Sequence, residues 1–192
     1  MLTDGFLILL GAALVNNVAL IQLLAVCPLF GASDRFDAAV VLAGATAATL
    51  TLSALLNALL YRWLLQPLGL EYLHLLVFML AIAAVVQCCA LLARRRWPTQ
   101  SRALGWWLPL IAANCAVLGV ALQNAGSQAG PVTATLQGLG AGLGFALVLV
   151  PFAALRERLA TADVPLPWQG AAIQLVTAGL ISLAFLGFAG LA

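Results

Sequence analysis

The residues best suited to redox or metal chemistry in this 192-residue sequence are its four cysteines, Cys27, Cys88, Cys89 and Cys115. Cys27 and Cys115 each adjoin a helix-breaking or polar residue, a proline in one case and an asparagine in the other. Two thiolates brought together there would bind iron or an iron–sulfur cluster, but such a cluster normally takes four cysteine ligands. The pair therefore supplies half a site. Either Cys88 and Cys89 complete it within the chain, or a second, similar protein completes it across an interface.

Cys88 and Cys89 also have a simpler interpretation as packing residues. Neighbours on a helix point about 100° apart, so the two thiols do not readily face one metal ion, and free cysteine is an acceptable small hydrophobic residue.

His74 is interpreted as an interfacial residue. The sequence has no serine nucleophile with its base, no zinc helix motif and no nucleotide loop, which argues against hydrolase and ATPase functions. An ion-carrying carboxylate at mid-membrane depth is not expected, because the acidic residues considered fall at the ends of apolar stretches: Asp4, Glu71, Glu157 and Asp163.

The elements that must position the cysteines are membrane-spanning helices. Hydrophobic residues make up 65% of the chain and charged residues only 7%, whereas a soluble domain carries roughly a quarter charged residues. A span needs about 20 predominantly apolar residues. The sequence has six such stretches, which run roughly from Gly5 to Val26, Ala38 to Leu60, Leu73 to Ala93, Leu104 to Leu122, Val132 to Leu155 and Gly170 to Leu191. We predict an all-α integral membrane protein with a single membrane domain over residues 1–192. The first stretch is interpreted as mature sequence, since a secretory leader carries positive charge before its apolar core.

The positions of the charges predict the orientation of the spans. The net charge of +2 is too small to indicate nucleic-acid binding, and all eight basic residues are arginines. When loops are counted alternately, Arg62 stands alone on the side of both termini, and the opposite side carries Arg35, Arg94, Arg95, Arg96, Arg102, Arg156 and Arg158. By the positive-inside rule the arginine-rich side is cytoplasmic, so both termini are predicted to face outward.

Six spans divide into two sets of three, so a second half that resembles the first is inverted relative to it. We therefore predict two inverted repeats, roughly 1–96 and 97–192. The first span of each half carries polar or helix-breaking residues within it or at its end. Span one contains Asn16 and Asn17 and is followed by Pro28 and Gly31, and span four contains Pro109, Asn114 and Gly119. Non-helical backbone is tolerated at membrane depth only where protein or a cavity covers it. The pattern favours two broken first helices that meet near the midplane, with span one interrupted at Asn16-Asn17. The alternative is that the asparagines only form hydrogen bonds between helices.

Span five carries four closely spaced glycines, Gly138, Gly140, Gly142 and Gly144. They resemble a phosphate-binding loop only superficially, because no strand precedes them and they lie at membrane depth. Small residues four apart, such as Gly138 and Gly142, allow two helices to approach closely. We interpret the glycines as a helix-packing surface.

The breaks belong to longer motifs. These are Leu14-Val15-Asn16-Asn17, Cys27-Pro28-Leu29-Phe30-Gly31, Leu108-Pro109-Leu110-Ile111, Asn114-Cys115-Ala116-Val117-Leu118-Gly119, Arg156-Glu157-Arg158-Leu159, Asp163-Val164-Pro165 and Thr177-Ala178-Gly179-Leu180. With these motifs the sequence resembles the A-type membrane subunits of Rnf (Rsx) electron transport complexes, and the resemblance extends nearly end to end. It is similar, less closely, to the E subunit of the sodium-translocating NADH:quinone reductase.

The resemblance implies a subunit of a bacterial inner-membrane complex that exchanges electrons between ferredoxin and NAD while moving Na⁺ or H⁺. It implies pairing with a homologous, oppositely oriented E-type subunit, further partners of the B, C, D and G types, and contact with membrane lipid. Cys27 and Cys115 are then two of the four ligands of a [2Fe–2S] cluster shared with the E-type subunit. The subunit relays electrons and is not catalytic alone.

The sequence departs from the family pattern at two places. Ala90 stands where the family usually has a glutamate, and Asp34-Arg35 stands where it tends to have paired lysines. The first departure weakens an ion-coupling role for span three. Two other functions stay open: a small inverted-repeat secondary transporter with incidental cysteines, and a redox-inactive scaffold subunit. The sequence does not indicate whether the ion is Na⁺ or H⁺, in which direction electrons flow, or whether the role is metabolic or the resetting of a redox sensor.

Overall fold

The computed structural model describes residues 2–18, 22, 24–31, 33, 36–69, 71–96, 111, 114–161, 165 and 170–189. In these ranges the chain is helical and contains no strand. We label the helices α1 (Leu2–Leu10), α2 (Val26–Gly31), α3 (Phe36–Leu60), α4 (His74–Arg96), α5 (Cys115–Gly126), α6 (Pro131–Ala160) and α7 (Ala171–Ala189). α1 continues as a π-helical segment, Gly11–Val15, and α3 continues through a second one, Tyr61–Leu65, into a short turn of helix, Gln66–Leu68. A 3₁₀ turn, Glu71–Leu73, precedes α4.

Three of the described helical stretches are long and apolar enough to cross a bilayer. They are Phe36–Leu65, His74–Leu92 and Pro131–Ala160, and they match predicted spans two, three and five. The other apolar stretches are shorter, namely Gly5–Val15, Cys115–Gly126 and Ala171–Gly187. Spans one and four, which the sequence presents as continuous apolar stretches, therefore contain only short helices in the described residues. Pro109, in span four, lies outside those residues.

The first helix ends where the sequence indicated an interruption. Its π-helical end closes with the Asn16 N–H donating to the Gly11 carbonyl at 2.7 Å, and Asn16 leaves the helical region with φ −108° and ψ 49°. The next described helix begins at Val26. A π-helical turn and a break of this kind expose backbone groups that side chains must satisfy.

Helix α6 lies between α1 and α3, and its glycines allow both approaches. A Cβ at Gly138 would meet the Leu50 carbonyl oxygen at 2.9 Å, and one at Gly142 would meet the Ala47 Cα at 2.7 Å, so α3 and α6 are antiparallel. On another face, a Cβ at Gly140 would meet the Leu9 carbonyl oxygen at 2.8 Å. The glycines thus form two close-packing surfaces, as small residues do in membrane helix pairs.

Much of the remaining surface is apolar and exposed. Helices α4 and α7 present exposed large hydrophobic side chains along their lengths, including Leu76, Met79, Leu80, Leu91, Leu175, Leu180, Leu183 and Leu186. Water does not tolerate an apolar surface of this extent, whereas lipid or a partner helix does. The protein is therefore a membrane protein with its helices embedded in the bilayer.

Candidate functional site

Cys115 is the first residue of α5, and Asn114 caps that helix. The Asn114 side-chain oxygen accepts a hydrogen bond from the Ala116 N–H at 3.1 Å, with Asn114 in an extended conformation (φ −73°, ψ 109°). An asparagine at this position satisfies one of the backbone donors that a helix start leaves free. The side chain of Asn114 is buried, whereas the thiol-bearing Cys115 is exposed and unpaired.

Cys27 has a matching position in the other half of the chain. It is the second residue of the short helix α2, followed by Pro28 in the same helix, and it is also exposed and not part of a disulfide. Pro is accepted in the first turn of a helix because its missing N–H would have no partner there. Gly31 ends the helix and is exposed.

The two cysteine-bearing segments pack against each other. A Cβ on Gly119 would lie 2.6 Å from Cδ1 of Leu24, so Leu24 rests directly on the α5 backbone at that glycine. Gly119 is four residues after Cys115 and so lies on the same helix face, while Leu24 is three residues before Cys27. Residues flanking both cysteines also share one buried core, including Ala25, Leu29, Ala116 and Val120. The segments that carry the two cysteines thus contact each other through Leu24 and Gly119.

Asn17 holds the interrupted chain against α6. Its fully buried side-chain amide donates to the Ala13 carbonyl at 3.0 Å and to the Gly144 carbonyl at 3.1 Å. Asn16 accepts a hydrogen bond from the Gln22 amide at 3.0 Å. Polar side chains thus satisfy some of the backbone and side-chain groups that the break exposes, as the low-dielectric surroundings require.

Arg156 of α6 anchors the far end of α2. Its Nη1 donates to the Phe30 carbonyl at 2.9 Å and to the Ser33 hydroxyl at 2.7 Å. The amide of Gln174 on α7, with its oxygen turned toward the guanidinium, accepts from Nε and Nη2 at 3.0 Å each. The ring of Phe30 also packs edge-on against that of Phe152, with centroids 5.7 Å apart. The short cysteine-bearing helix is therefore fixed at its C-terminal end by α6.

The donor set fits half of an iron–sulfur site. Beside Cys115, the Asn114 Nδ2 is buried and has no hydrogen-bond partner among the described residues. Hydrogen-bond donors of this kind are typical beside cluster sulfurs, where they tune the reduction potential. Within the described part of the chain, which contains all four cysteines, no group of three or more histidine, cysteine or acidic residues is arranged to hold a metal ion. Cys88 and Cys89 of α4 are therefore not grouped with Cys27 and Cys115 among the described residues.

Sequence reasoning missed two buried polar side chains, Asn57 in span two and Asn124 just past the predicted end of span four. They are 2% and 4% exposed, and neither amide has a partner among the described residues. A polar residue within an apolar span is itself a signal of function, and this signal was available for Asn57. The structural role of Arg156 was also missed, because the sequence assigned it only to the cytoplasmic charge bias.

Known proteins match this chain over nearly its whole length. The Rnf-Nqr family, described as Rnf-Nqr subunit, membrane protein, matches residues 6–192. A Pseudomonas aeruginosa (strain LESB58) protein, named as the A-type subunit of an ion-translocating oxidoreductase complex, is 54% identical over 191 residues, which cover 99% of this chain and 98% of that protein. A protein of the same name from Azotobacter vinelandii is also 54% identical, with the same coverage. A third, from Pseudoalteromonas atlantica, is 50% identical over 190 residues, which cover 99% of this chain and 98% of the relative.

Proposed function

This chain belongs to the Rnf-Nqr family of membrane protein subunits, and we propose that it is the A-type membrane subunit of an ion-translocating oxidoreductase complex. Within that complex it relays electrons through an iron–sulfur centre that it shares with a homologous subunit of the E type. Subunits of the B, C, D and G types are the further partners proposed. The chain has no catalytic site of its own and acts only in the assembled complex.

The observation that supports this proposal is that two segments in contact with each other, through Leu24 and Gly119, each carry an exposed cysteine near the start of a short helix. Cys27 and Cys115 lie at the starts of two short helices, α2 and α5, whose surrounding residues share one core. Exposure on a membrane protein means that each thiol is available to a partner subunit. A [2Fe–2S] cluster takes four such ligands and, when bound, supplies one-electron redox chemistry. The second pair of ligands is assigned to the E-type subunit.

The remaining residues of the site orient the two thiols. The N-terminal end of α5 favours negative charge, such as that of a thiolate ligand, because its unsatisfied N–H groups carry partial positive charge. Asn114 fixes where that helix begins, and its free Nδ2 donor is available to a sulfur atom. Asn17 and Arg156 hold the two ends of the interrupted segment against α6. The chain's contribution is thus to present two thiols in a fixed arrangement within a water-poor environment.

We further propose that the two halves of the chain are inverted repeats with both termini periplasmic, in a bacterial inner membrane. Two directions in the bundle support this arrangement. The middle helices of the two halves, α3 and α6, run antiparallel through the contacts of Gly138 and Gly142. Helices α1 and α6 run parallel, since Leu9 lies beside Gly140 and Ala13 beside Gly144. Both directions are those expected when spans one and five cross the bilayer in one sense and span two crosses in the other.

The test is to replace Cys27 and Cys115 singly with serine in the assembled complex, with Cys88→Ser as the matched control on the exposed surface of α4. Each of the first two changes is expected to abolish or strongly alter one iron–sulfur electron paramagnetic resonance signal. Ferredoxin-linked NAD reduction should fall with the signal, because the relay is broken. The control should keep both. A scaffold or transporter function would instead leave the signal and the electron transfer of the Cys27 and Cys115 variants unaltered.

A further inference from the structure

A polar cavity of about 200 Å³ opens at one end of the bundle, where α3, α4 and α5 meet. The ring of Tyr61, just past the end of α3, packs against that of Phe78 on α4 with centroids 6.3 Å apart, and both residues line the cavity. The polar residues of the lining are Asn57, Tyr61, Arg62, Gln66, Asn124 and Gln128. The volume is far larger than one water molecule requires, so the cavity has room for a polar group of several atoms.

Two amides in the wall of this cavity are buried without hydrogen-bond partners. Asn57 and Asn124 are 2% and 4% exposed, and both the nitrogen and the oxygen of each amide lack a partner in the described part of the chain. A buried amide that makes no hydrogen bond is destabilising and needs an explanation in a native protein. The wall therefore offers two oxygen acceptors and two amide donor groups to an occupant of the cavity.

The lining combines a positively charged side chain with the negative end of a helix. Arg62 supplies a permanent positive charge and five N–H donors. The last turn of α5 reaches the cavity with Asn124 and Ala125, and the C-terminal end of a helix carries partial negative charge. Among the described lining residues none is a carboxylate. An occupant with both an anionic and a cationic group matches this lining, whereas a simple cation would be repelled by the arginine and a simple anion by the helix end.

The residues beside the cavity are of the kinds found at the level of lipid headgroups. Trp63, next to Arg62, and Tyr72, in the turn before α4, are both largely exposed. Tryptophan and tyrosine concentrate at the membrane–water interface, and long arginine side chains extend from helix ends to the same level. From this end α4 continues into the bilayer with Leu76 and Met79 exposed, and such an apolar surface suits acyl chains. The cavity is therefore placed to receive a phospholipid headgroup.

We propose that this cavity binds the headgroup of one phosphatidylethanolamine molecule, with its phosphate on Arg62 and its ammonium group on the amide oxygens of Asn57 and Asn124. A guanidinium donates in parallel to two phosphate oxygens, and an ammonium group has three N–H donors for neutral oxygens. Asn57 precedes Arg62 by five residues, a rise of about 7.5 Å along the helix, so the ammonium group lies deeper in the cavity than the phosphate. The two asparagine N–H groups are then available to the phosphate and ester oxygens. This site is separate from the cysteines and does not depend on the iron–sulfur assignment.

The experiment measures, by native mass spectrometry, the affinity of the whole chain in detergent for dioctanoyl phosphatidylethanolamine and dioctanoyl phosphatidylcholine after native lipid is removed. The two lipids have the same phosphate and net charge, but the choline nitrogen carries methyl groups and no N–H donor. The wild type should bind one ethanolamine lipid about fivefold or more tightly than the choline lipid. Arg62→Gln should weaken both lipids about tenfold, because it removes the charge-assisted bonds to the phosphate that they share. Arg158→Gln is the matched control, since Arg158 is an exposed arginine that does not line the cavity, and it should change neither affinity.

The asparagine variants should change the preference between the two lipids. In Asn57→Leu and Asn124→Leu the ethanolamine lipid should lose its advantage, so that the two affinities agree within about twofold. Gln123→Leu, which alters an exposed amide of α5 outside the lining, should keep the preference.

Four results would overturn the proposal, and the comparisons of the wild type and of Arg62→Gln decide it even if a leucine variant fails to fold. They are equal binding of the two lipids by the wild type, as expected if only water fills the cavity, and unchanged affinities in Arg62→Gln. Tighter binding of dioctanoyl phosphatidylglycerol than of the ethanolamine lipid would indicate an anion site. Binding of free O-phosphoethanolamine as tight as that of the lipid would indicate a soluble ligand. Each of these results would leave the proposed electron relay unaffected.

Discussion

Gly144 is the position at which one added methyl group should most disturb the interrupted first helix. A Cβ there would lie 2.6 Å from the Ala13 carbonyl oxygen, 3.1 Å from the Ala13 Cα and 3.1 Å from Asn17 Nδ2. Two of these atoms are backbone, so they can move away only if the π-helical segment shifts as a whole. The hydrogen bond from Asn17 to the Gly144 carbonyl, 3.1 Å long, would be strained or lost with that shift.

The expected cost of Gly144→Ala combines two effects. Overpacking in a close contact costs about 1–3 kcal/mol, and a lost hydrogen bond adds about 1 kcal/mol. The sum of about 2–4 kcal/mol corresponds to a fall of roughly 5–15 °C in the melting temperature of a chain of this size. Thermal unfolding of the purified subunit in detergent, followed by tryptophan fluorescence, measures it.

Gly44→Ala is the matched control, because Gly44 is also a helical glycine but a Cβ there would meet nothing within 4 Å. It should leave the melting temperature unchanged or raise it slightly, since alanine favours helix by about 1 kcal/mol over glycine. The reasoning is refuted if Gly144→Ala has the same melting temperature as the wild type, or if Gly44→Ala lowers the melting temperature by as much as Gly144→Ala does.

The remaining variants test the other contacts that hold the two cysteine-bearing helices. Arg156→Ala removes the hydrogen bonds to the Phe30 carbonyl and to Ser33, and we expect the free energy of unfolding to fall by about 2 kcal/mol. The control, Arg158→Ala, changes an exposed arginine and should cost less than about 0.5 kcal/mol. Equal losses in the two variants would contradict the role of Arg156 in holding α2. In Gly119→Ala the added Cβ meets only the flexible end of the Leu24 side chain, at 2.6 Å. The melting temperature of this variant should therefore fall by a few degrees at most. A fall as large as that of Gly144→Ala would show that the contact between Leu24 and α5 is rigid.

The spans, the break and the glycines were readable from the sequence because each leaves a local signature. Hydropathy over about 20 residues locates a span, and paired asparagines in an apolar stretch indicated the interruption that the structure has at Asn16 and Asn17. Glycine spacing indicated a close helix contact. It did not indicate that Gly138 and Gly142 face α3 while Gly140 and Gly144 face the first helix.

The rest depends on contacts between segments far apart in the chain. Hydropathy presented span four as one continuous stretch, but the described helix begins only at Cys115 and extends to Gly126, because an asparagine cap sets its start. The convergence of Asn57 and Asn124 on one cavity cannot be read from the sequence, since it requires α3 and α5 to lie side by side. The bond from Arg156 to the Phe30 carbonyl spans 126 residues, and the charge rule that located this arginine on one side says nothing about its partner.

The most direct measurement of the central claim is the iron content and electron paramagnetic resonance spectrum of this protein, purified alone and together with an E-type partner. If Cys27 and Cys115 supply half of a shared cluster, the reduced pair should carry about two iron atoms and give the signal of a [2Fe–2S] centre. The chain alone should bind little iron, and the pair that carries both Cys27→Ser and Cys115→Ser should lose the signal. A wild-type pair without iron, or a doubly substituted pair with an unchanged signal, would contradict the claim.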